Sequence, residues 1–260
     1  MTLLASSRHR PTDLAAWHAL GERSDAAQAR ILDWGRMVGR AVDDIITFAT
    51  AGRCYVATSW GKDSVVVAHL AELVAMLTGA HLPIVWIRRE PIDNPDCALV
   101  RDAFAARFPD ADLREVLVEC ERDPAHPGRW WTRGVLGRTD DDRPKQVGFA
   151  RARERFGARY ISGVRGAESG ARTRRMRAFG TTTDLTCAPI GWWSTAAVFA
   201  YLHRERLPVH PAYACTVGGV YDRERIRVGS IGGPQGRGHG RAEWERTYYP
   251  EVVRRLEGGA

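Results

Sequence analysis

The chain has 260 residues, 44% hydrophobic and 27% charged, which is enough for one large α/β domain or a domain with an appendage and unlike a disordered chain. No apolar run reaches the roughly 18 residues that span a bilayer, and MTLLASSRHRPTDLAAW lacks the basic, apolar, small-residue order of a secretory leader, so the expected compartment is the cytoplasm. The net charge of +7 is almost wholly arginine, since Lys62 and Lys145 are the only lysines, and it suits phosphate-bearing partners.

Residues 1–12 read as a loose tail. From 24 to 50, after a Ser/Asp cap, Ile31, Trp34, Met37, Val38, Val42, Ile45 and Ile46 recur at helical spacing, which predicts one long helix with a single apolar face. From residue 52, short apolar runs alternate with helical patterns. CYVAT (54–58), LPIVWIR (82–88), LREVLVE (113–119), RYISGV (159–164) and LTCAPI (185–190) read as five strands. Helical patterns fall at about 63–78, 95–107, 143–156 and 194–206. The alternation predicts an α/β fold with a doubly wound, mostly parallel five-stranded sheet, helices on both faces, and a ligand beyond the carboxyl ends of the strands. Residues 121–145, rich in Pro, Gly and charge, are too long for a simple connection and read as a lid or insertion. After about residue 207 the chain is rich in Gly and Arg, with a short helical close around EWERTYYPEVVRRLE.

Cys54, Cys97, Cys120, Cys187 and Cys215 are odd in number and far apart, with no C-x-x-C pair, and are expected to be reduced and mostly buried. His69 and His203 lie inside helical patterns; His81, His126 and His239 lie in loops with no ligand-like spacing. Trp192 and Trp193 are expected to pack a helix against the sheet, whereas Trp130 and Trp131 are expected in a lid or a partner surface.

The stretch SWGKDS (59–64) joins the first central strand to a helix expected to start near Asp63. The first N–H groups of that helix have no intrahelical partners and carry its positive dipole end. Gly61 lets backbone approach a ligand, Ser59 and Ser64 add hydroxyls, and Lys62 adds a full charge, so the turn is suited to an oxyanion, phosphate above all. Asp63 either caps the helix or helps hold a Mg²⁺ that travels with a polyphosphate. An ordinary capped turn accounts for Ser59 and Asp63 but does not require glycine, lysine and two serines together. A Walker A loop is excluded, because Val56 stands where its first glycine belongs.

S-x-G-K-D-S after the first strand resembles the PP-loop of the ATP pyrophosphatase superfamily, in its phosphoadenosine phosphosulfate (PAPS) reductase-like branch. WIRREPIDNPDC (86–97) resembles the second strand of that branch with its loop, and GVRGAESGARTRR (163–175) its G-x-R-x-x-E-S-x-x-R segment. PIGWWSTAAVFAYLHRERLPVHPAY (189–213) is similar to its P-I-x-x-W and L-P-x-x-P-x-Y run, and the resemblance covers about residues 52–229. It implies the adenine nucleotide alpha hydrolase-like fold, divided as a tail and helical segment (1–50), a PP-loop nucleotide-binding domain (51–210) and a Gly/Arg-rich C-terminal segment (211–260). It implies nucleotide contacts from Ser59, Trp60, Gly61, Lys62, Asp63, Ser64, Trp86, Arg88, Gly163, Arg165 and Glu168, with His210, Tyr213 and Cys215 closing the pocket. Arg165 and Arg172 are expected to fork onto phosphate or sulfate oxygens while Glu168 orients a guanidinium; Arg174, Arg175 and Arg177 are expected to be solvated.

Reductases of this branch use a cysteine near the C-terminus, and several relatives hold an iron–sulfur cluster on cysteine pairs. Here Gly229, Ser230, Ile231, Gly232 and Gly233 follow RIRV, so no such cluster is expected. The remaining parts suit cleavage of ATP between its α and β phosphates, with Lys62, Asp63, Arg165 and Arg172 catalytic and Mg²⁺ on Asp63. Phosphoadenylyl-sulfate reduction, sulfur activation in DNA phosphorothioation and nucleotide sensing without turnover stand as alternatives. The implied partners are an adenine nucleotide, ATP or PAPS, with a sulfur-donor or redox protein, nucleic acid or a second copy of the chain left open.

Overall fold

A computed structural model describes residues 2–126, 129–232 and 240–258. In chain order its elements are β1 (Thr2–Leu3), α1 (Pro11–Leu20), α2 (Ala26–Ile31), α3 (Trp34–Thr50), β2 (Cys54–Thr58), α4 (Lys62–Thr78), β3 (Ile84–Glu90), α5 (Cys97–Arg107), β4 (Leu113–Arg122), β5 (Trp130–Thr132) and α6 (Pro144–Phe156). There follow β6 (Arg159–Ser162), α7 (Gly170–Phe179), β7 (Thr186–Cys187), α8 (Thr195–Arg204), β8 (Pro208–Val209), α9 (Arg241–Tyr248) and α10 (Pro250–Gly258). Among the described residues no helix is long and apolar enough to cross a membrane.

The main sheet has the order β5-β4-β3-β2-β6-β7, and every pairing is parallel except β4 with β5. The five expected strands are all present. The sixth, β5, lies in the 121–145 insertion, where the indole N–H of buried Trp131 donates to Asp123 at 3.0 Å and the Arg143 guanidinium sits 4.7 Å from the Trp131 ring. Strand alternation splits the core. Cys54 and Val56 of β2 join the large cluster under α3, α4, α5 and α8, while Tyr55 joins Val85, Val116, Ala152 and Phe156 beneath α6.

The chain leaves β2 for β3 and β4 on one side and returns to β6 and β7 on the other. Strand order therefore reverses between β2 and β6, where a doubly wound sheet opens a crevice at its carboxyl edge. The turns after β2 and β6 both lie at that crevice.

Trp193 packs as expected but Trp192 is exposed, and two further expectations need correction. The single long helix is broken: Leu32 is extended, and the Asp33 carboxylate caps α3 by accepting from the Arg36 N–H at 3.1 Å, an alternative that a short acidic side chain offers the backbone. Ile31 consequently stands exposed, whereas Trp34, Val42 and Ile45 of α3 are buried. The loose tail is also tied down. Thr2–Leu3 pair in parallel with Pro208–Val209, and the Arg8 guanidinium lies 4.2 Å from the Tyr249 ring while donating to Asp96 at 3.3 Å and to the Tyr248 carbonyl at 2.8 Å.

The predicted C-terminal helical close is the pair α9 and α10, fastened where Trp244 donates to the Cys215 carbonyl at 2.7 Å and Tyr248 to Asp13 at 2.9 Å. Residues 233–239 of the glycine cluster, His239 included, lie outside the described residues.

Candidate functional site

The SWGKDS turn sits directly between β2 and α4. Gly61 is the N-cap of α4, so the helix starts one residue earlier than expected, and Asp63 makes no capping hydrogen bond. Trp60 takes a left-handed backbone (φ 57°), costly for a bulky side chain; its buried ring is held 5.6 Å from Phe104. Ser64 Oγ donates to the Gly61 carbonyl at 3.0 Å and accepts from the Ser59 N–H at 3.3 Å, which sets the loop's curvature. The Trp60 N–H donates to Thr58 Oγ1 at 3.1 Å.

One donor of the helix end is taken by the protein itself. The Tyr213 hydroxyl accepts from the Lys62 N–H at 3.1 Å, and the same hydroxyl lies 3.3 Å from where a Cβ on Gly61 would stand. The first-turn N–H groups of Gly61, Asp63 and Ser64 remain oriented to the crevice by the helix geometry. The Lys62 ammonium bonds to Asp63 Oδ2 at 2.8 Å and lies 5.6 Å from the Tyr213 ring.

The β6 turn locks onto this loop. Gly163 approaches so closely that a Cβ would fall 2.7 Å from the Asp63 carbonyl carbon, which excludes any larger residue without moving the backbone. Arg165, only 1% exposed, donates from Nε to Asp63 Oδ1 at 2.6 Å, and from its two terminal nitrogens to the Trp193 carbonyl at 3.0 Å and Thr195 Oγ1 at 3.1 Å. All three partners belong to the protein, so Arg165 ties β6, α8 and the loop together. Its neighbour Glu168 accepts from the Arg165 N–H at 3.1 Å and pairs with Arg172, whose side chain is 40% exposed at the rim.

Asp63 thus lies between two cations. Among the described residues no group of three or more His, Cys, Asp or Glu could hold a metal ion. A carboxylate with one oxygen on a guanidinium and the other on an ammonium does not fit an inner-sphere Mg²⁺ ligand.

Trp86 is buried in β3, with Arg101 of α5 stacked 5.7 Å from its ring, while Arg88 pairs with Glu90 and Glu115. Trp86 stands in register with Thr58, the last residue before the turn, and Arg88 two residues on is partly exposed. His210 is buried behind the loop, its Nδ1 accepting from the Ala212 N–H at 3.1 Å, and burial pushes its imidazole down to about 3. Tyr213 is held protonated by burial and by Asp63.

The cysteines separate sharply from the reactive pattern. Cys215 is fully buried, with its thiol on the Pro211 carbonyl, and burial pushes it up to about 12. Cys97, not Cys215, lies nearest the loop. Its thiol reaches the Ser59 carbonyl at 3.5 Å and His210 Nε2 at 3.7 Å, and burial with Asp93 and Asp96 raises it well above a free thiol. Cys54, Cys120 and Cys187 are buried and raised as well, the latter two to about 12 and 11.

Sequence reasoning overlooked Lys145, near the start of α6. Desolvation, then the positive charges of Arg89 and Arg172, hold its ammonium below the ordinary lysine range, although Lys145 is exposed as a residue. A signal was available: it is one of two lysines in a chain that otherwise uses arginine. Thr195 was also missed, since a single threonine at a helix start carries no mark of its guanidinium partner.

Residues 53–220 match the family model for the phosphoadenosine phosphosulfate reductase domain. No curated protein matches the chain significantly. Among solved structures, a phosphoadenylyl-sulfate (PAPS) reductase from Candida auris in complex with phosphate is 16% identical over 81% of this chain and 92% of its own, with a TM-score of 0.44.

Proposed function

The chain belongs to the phosphoadenosine phosphosulfate reductase family, and from that premise we propose that it binds an adenine nucleotide with its phosphate chain on the β2–α4 turn and cleaves ATP between the α and β phosphates. The observation that carries the choice of chemistry is the state of the thiols. Reductive release of sulfite requires a thiolate to attack sulfur, and all five cysteines of this sequence are buried and pushed away from the thiolate form. Adenylyl transfer needs only positioning and charge stabilisation.

In this reading an acceptor oxyanion attacks the α-phosphorus, the bond from that phosphorus to the bridging oxygen breaks, and pyrophosphate leaves with the electron pair. The N–H groups of Gly61, Asp63 and Ser64 and the Lys62 ammonium hold the departing phosphates. Arg172 and Lys145 at the rim offset the charge developing on the α-phosphate. Arg165, with three of its five N–H groups on the protein itself, positions Asp63 and through it Lys62.

Family membership supports a second ligand, a sulfonucleotide reduced with an external thiol protein. One experiment separates the two. Purified protein supplied with ATP, Mg²⁺ and a sulfur oxyanion is expected to release pyrophosphate. Sulfite from PAPS and a reduced dithiol protein, with no pyrophosphate from ATP, overturns the choice.

A further inference from the structure

The rim of the site continues into a surface that nucleotide binding does not use. α7 carries Arg172, Arg174, Arg175 and Arg177 in ten residues and no acidic side chain. Its inward face is short: Thr173 Oγ1 donates to the Gly166 carbonyl at 2.8 Å, and Met176 is buried. Arg174, Arg175 and Arg177 are exposed and make no ion pair among the described residues, in contrast to Arg88, Arg89, Arg101 and Arg138, each set against carboxylates. Three unmatched cations on one short helix repel each other, and nothing in the fold repays that repulsion.

Flat aromatic surface lies beside them. Phe179 ends α7 on the face of Arg172 and Arg175 and is 69% exposed, and Trp192, 58% exposed, approaches the same Gly166 that Met176 covers. Unpaired guanidiniums beside exposed rings match the two requirements of an unpaired nucleic-acid strand, a backbone to neutralise and bases to stack. We propose that α7 and Trp192 form a binding surface for single-stranded nucleic acid, running away from the Arg172 edge of the nucleotide site. A duplex, whose bases are already stacked, makes no use of Trp192 and Phe179. An acidic protein makes no use of the rings.

The test is fluorescence anisotropy of a labelled single strand of about 20 nucleotides, without ATP or PAPS, so that its outcome is independent of the nucleotide-site reading. The wild type is expected to bind the strand more tightly than the matching duplex. Its affinity should fall linearly on a log–log salt plot, by about 0.7 per phosphate neutralised. The triple variant Arg174→Ala, Arg175→Ala, Arg177→Ala should flatten that slope by about 2 and weaken binding at least tenfold at roughly 50 mM salt. Trp192→Ala should weaken it about fivefold or more with the slope unchanged, since it removes stacking and no charge. All these side chains are exposed, and unchanged thermal melting confirms that the variants fold. The proposal is overturned by an unaltered triple variant, by no binding at low salt, by duplex preference, or by equal competition from polyglutamate.

Discussion

Replacing Arg165 by methionine probes the joint between the two halves of the sheet. The wild-type guanidinium is buried and serves Asp63 at 2.6 Å, the Trp193 carbonyl at 3.0 Å and Thr195 at 3.1 Å. Methionine keeps most of the volume but strands the Asp63 carboxylate beside a single cation and leaves a carbonyl and a hydroxyl unsatisfied. Removing one partner of a buried pair costs about 3–5 kcal/mol, and this site stands near the middle, at about 4. For a domain of this size that lowers Tm by about 8–16 °C. Thermal unfolding followed by circular dichroism reads the loss, and titration with ATP reads the site, where affinity should fall at least tenfold in the protein that remains folded. Asp63→Asn, made singly and together with Arg165→Met, completes a double-mutant cycle. Because both act on one contact, the double variant should cost about 2 kcal/mol less than the sum. A Tm within about 3 °C of wild type, or strict additivity in the cycle, refutes the positioning role of Arg165.

Gly163→Ala places a methyl group 2.7 Å from the Asp63 backbone, so a loss of about 1–3 kcal/mol and of nucleotide binding is expected by denaturant titration and calorimetry; Gly39→Ala, in open space on α3, should cost nothing and serves as the control. Tyr213→Phe removes the acceptor of the Lys62 N–H, which should cost about 1 kcal/mol of stability while leaving phosphate affinity equal or tighter, because that donor becomes available to ligand; a tenfold weaker calorimetric affinity contradicts this. Burial holds His69 at about 4 and His210 at about 3, both below the usual histidine value, so the unfolded chain gains protons first as pH falls. Their contribution is fully present above about pH 6.5 and is lost as pH falls toward the folded values, about 3 kcal/mol for His69 alone. Urea midpoints that stay level from pH 7 to roughly 4.5 contradict that sign.

The sequence was most readable where local chemistry and backbone geometry coincide. SWGKDS falls at the strand-to-helix turn expected of it, because glycine, lysine and paired serines mark the turn without help from distant residues. The alternation of apolar runs gave the five strands from Cys54 to Cys187 and a mostly parallel sheet, while their order, and with it the reversal between β2 and β6, came only with the fold. What escaped reading depends on partners far along the chain. Tyr213 meets Lys62 across 151 positions, and Arg165 meets Asp63 across 102, so the buried tie that this arginine makes left no mark in the sequence. The break before α3 turned on one aspartate choosing to cap, and Lys145 looked like an ordinary surface lysine until the fold set it beside Arg89 and Arg172. Short edge strands such as Thr2–Leu3 and Trp130–Thr132 carry too few residues to show a period.

Isothermal titration of wild type and Lys62→Ala with ATP, and in parallel with PAPS, tests most directly whether the β2–α4 turn grips a phosphate chain. Wild-type binding of at least one nucleotide, weakened tenfold or more by the substitution (about 1.4 kcal/mol) at a temperature where both proteins are folded, is the expected result. Equal affinities for the two proteins, or no binding of either nucleotide to wild type, contradict it.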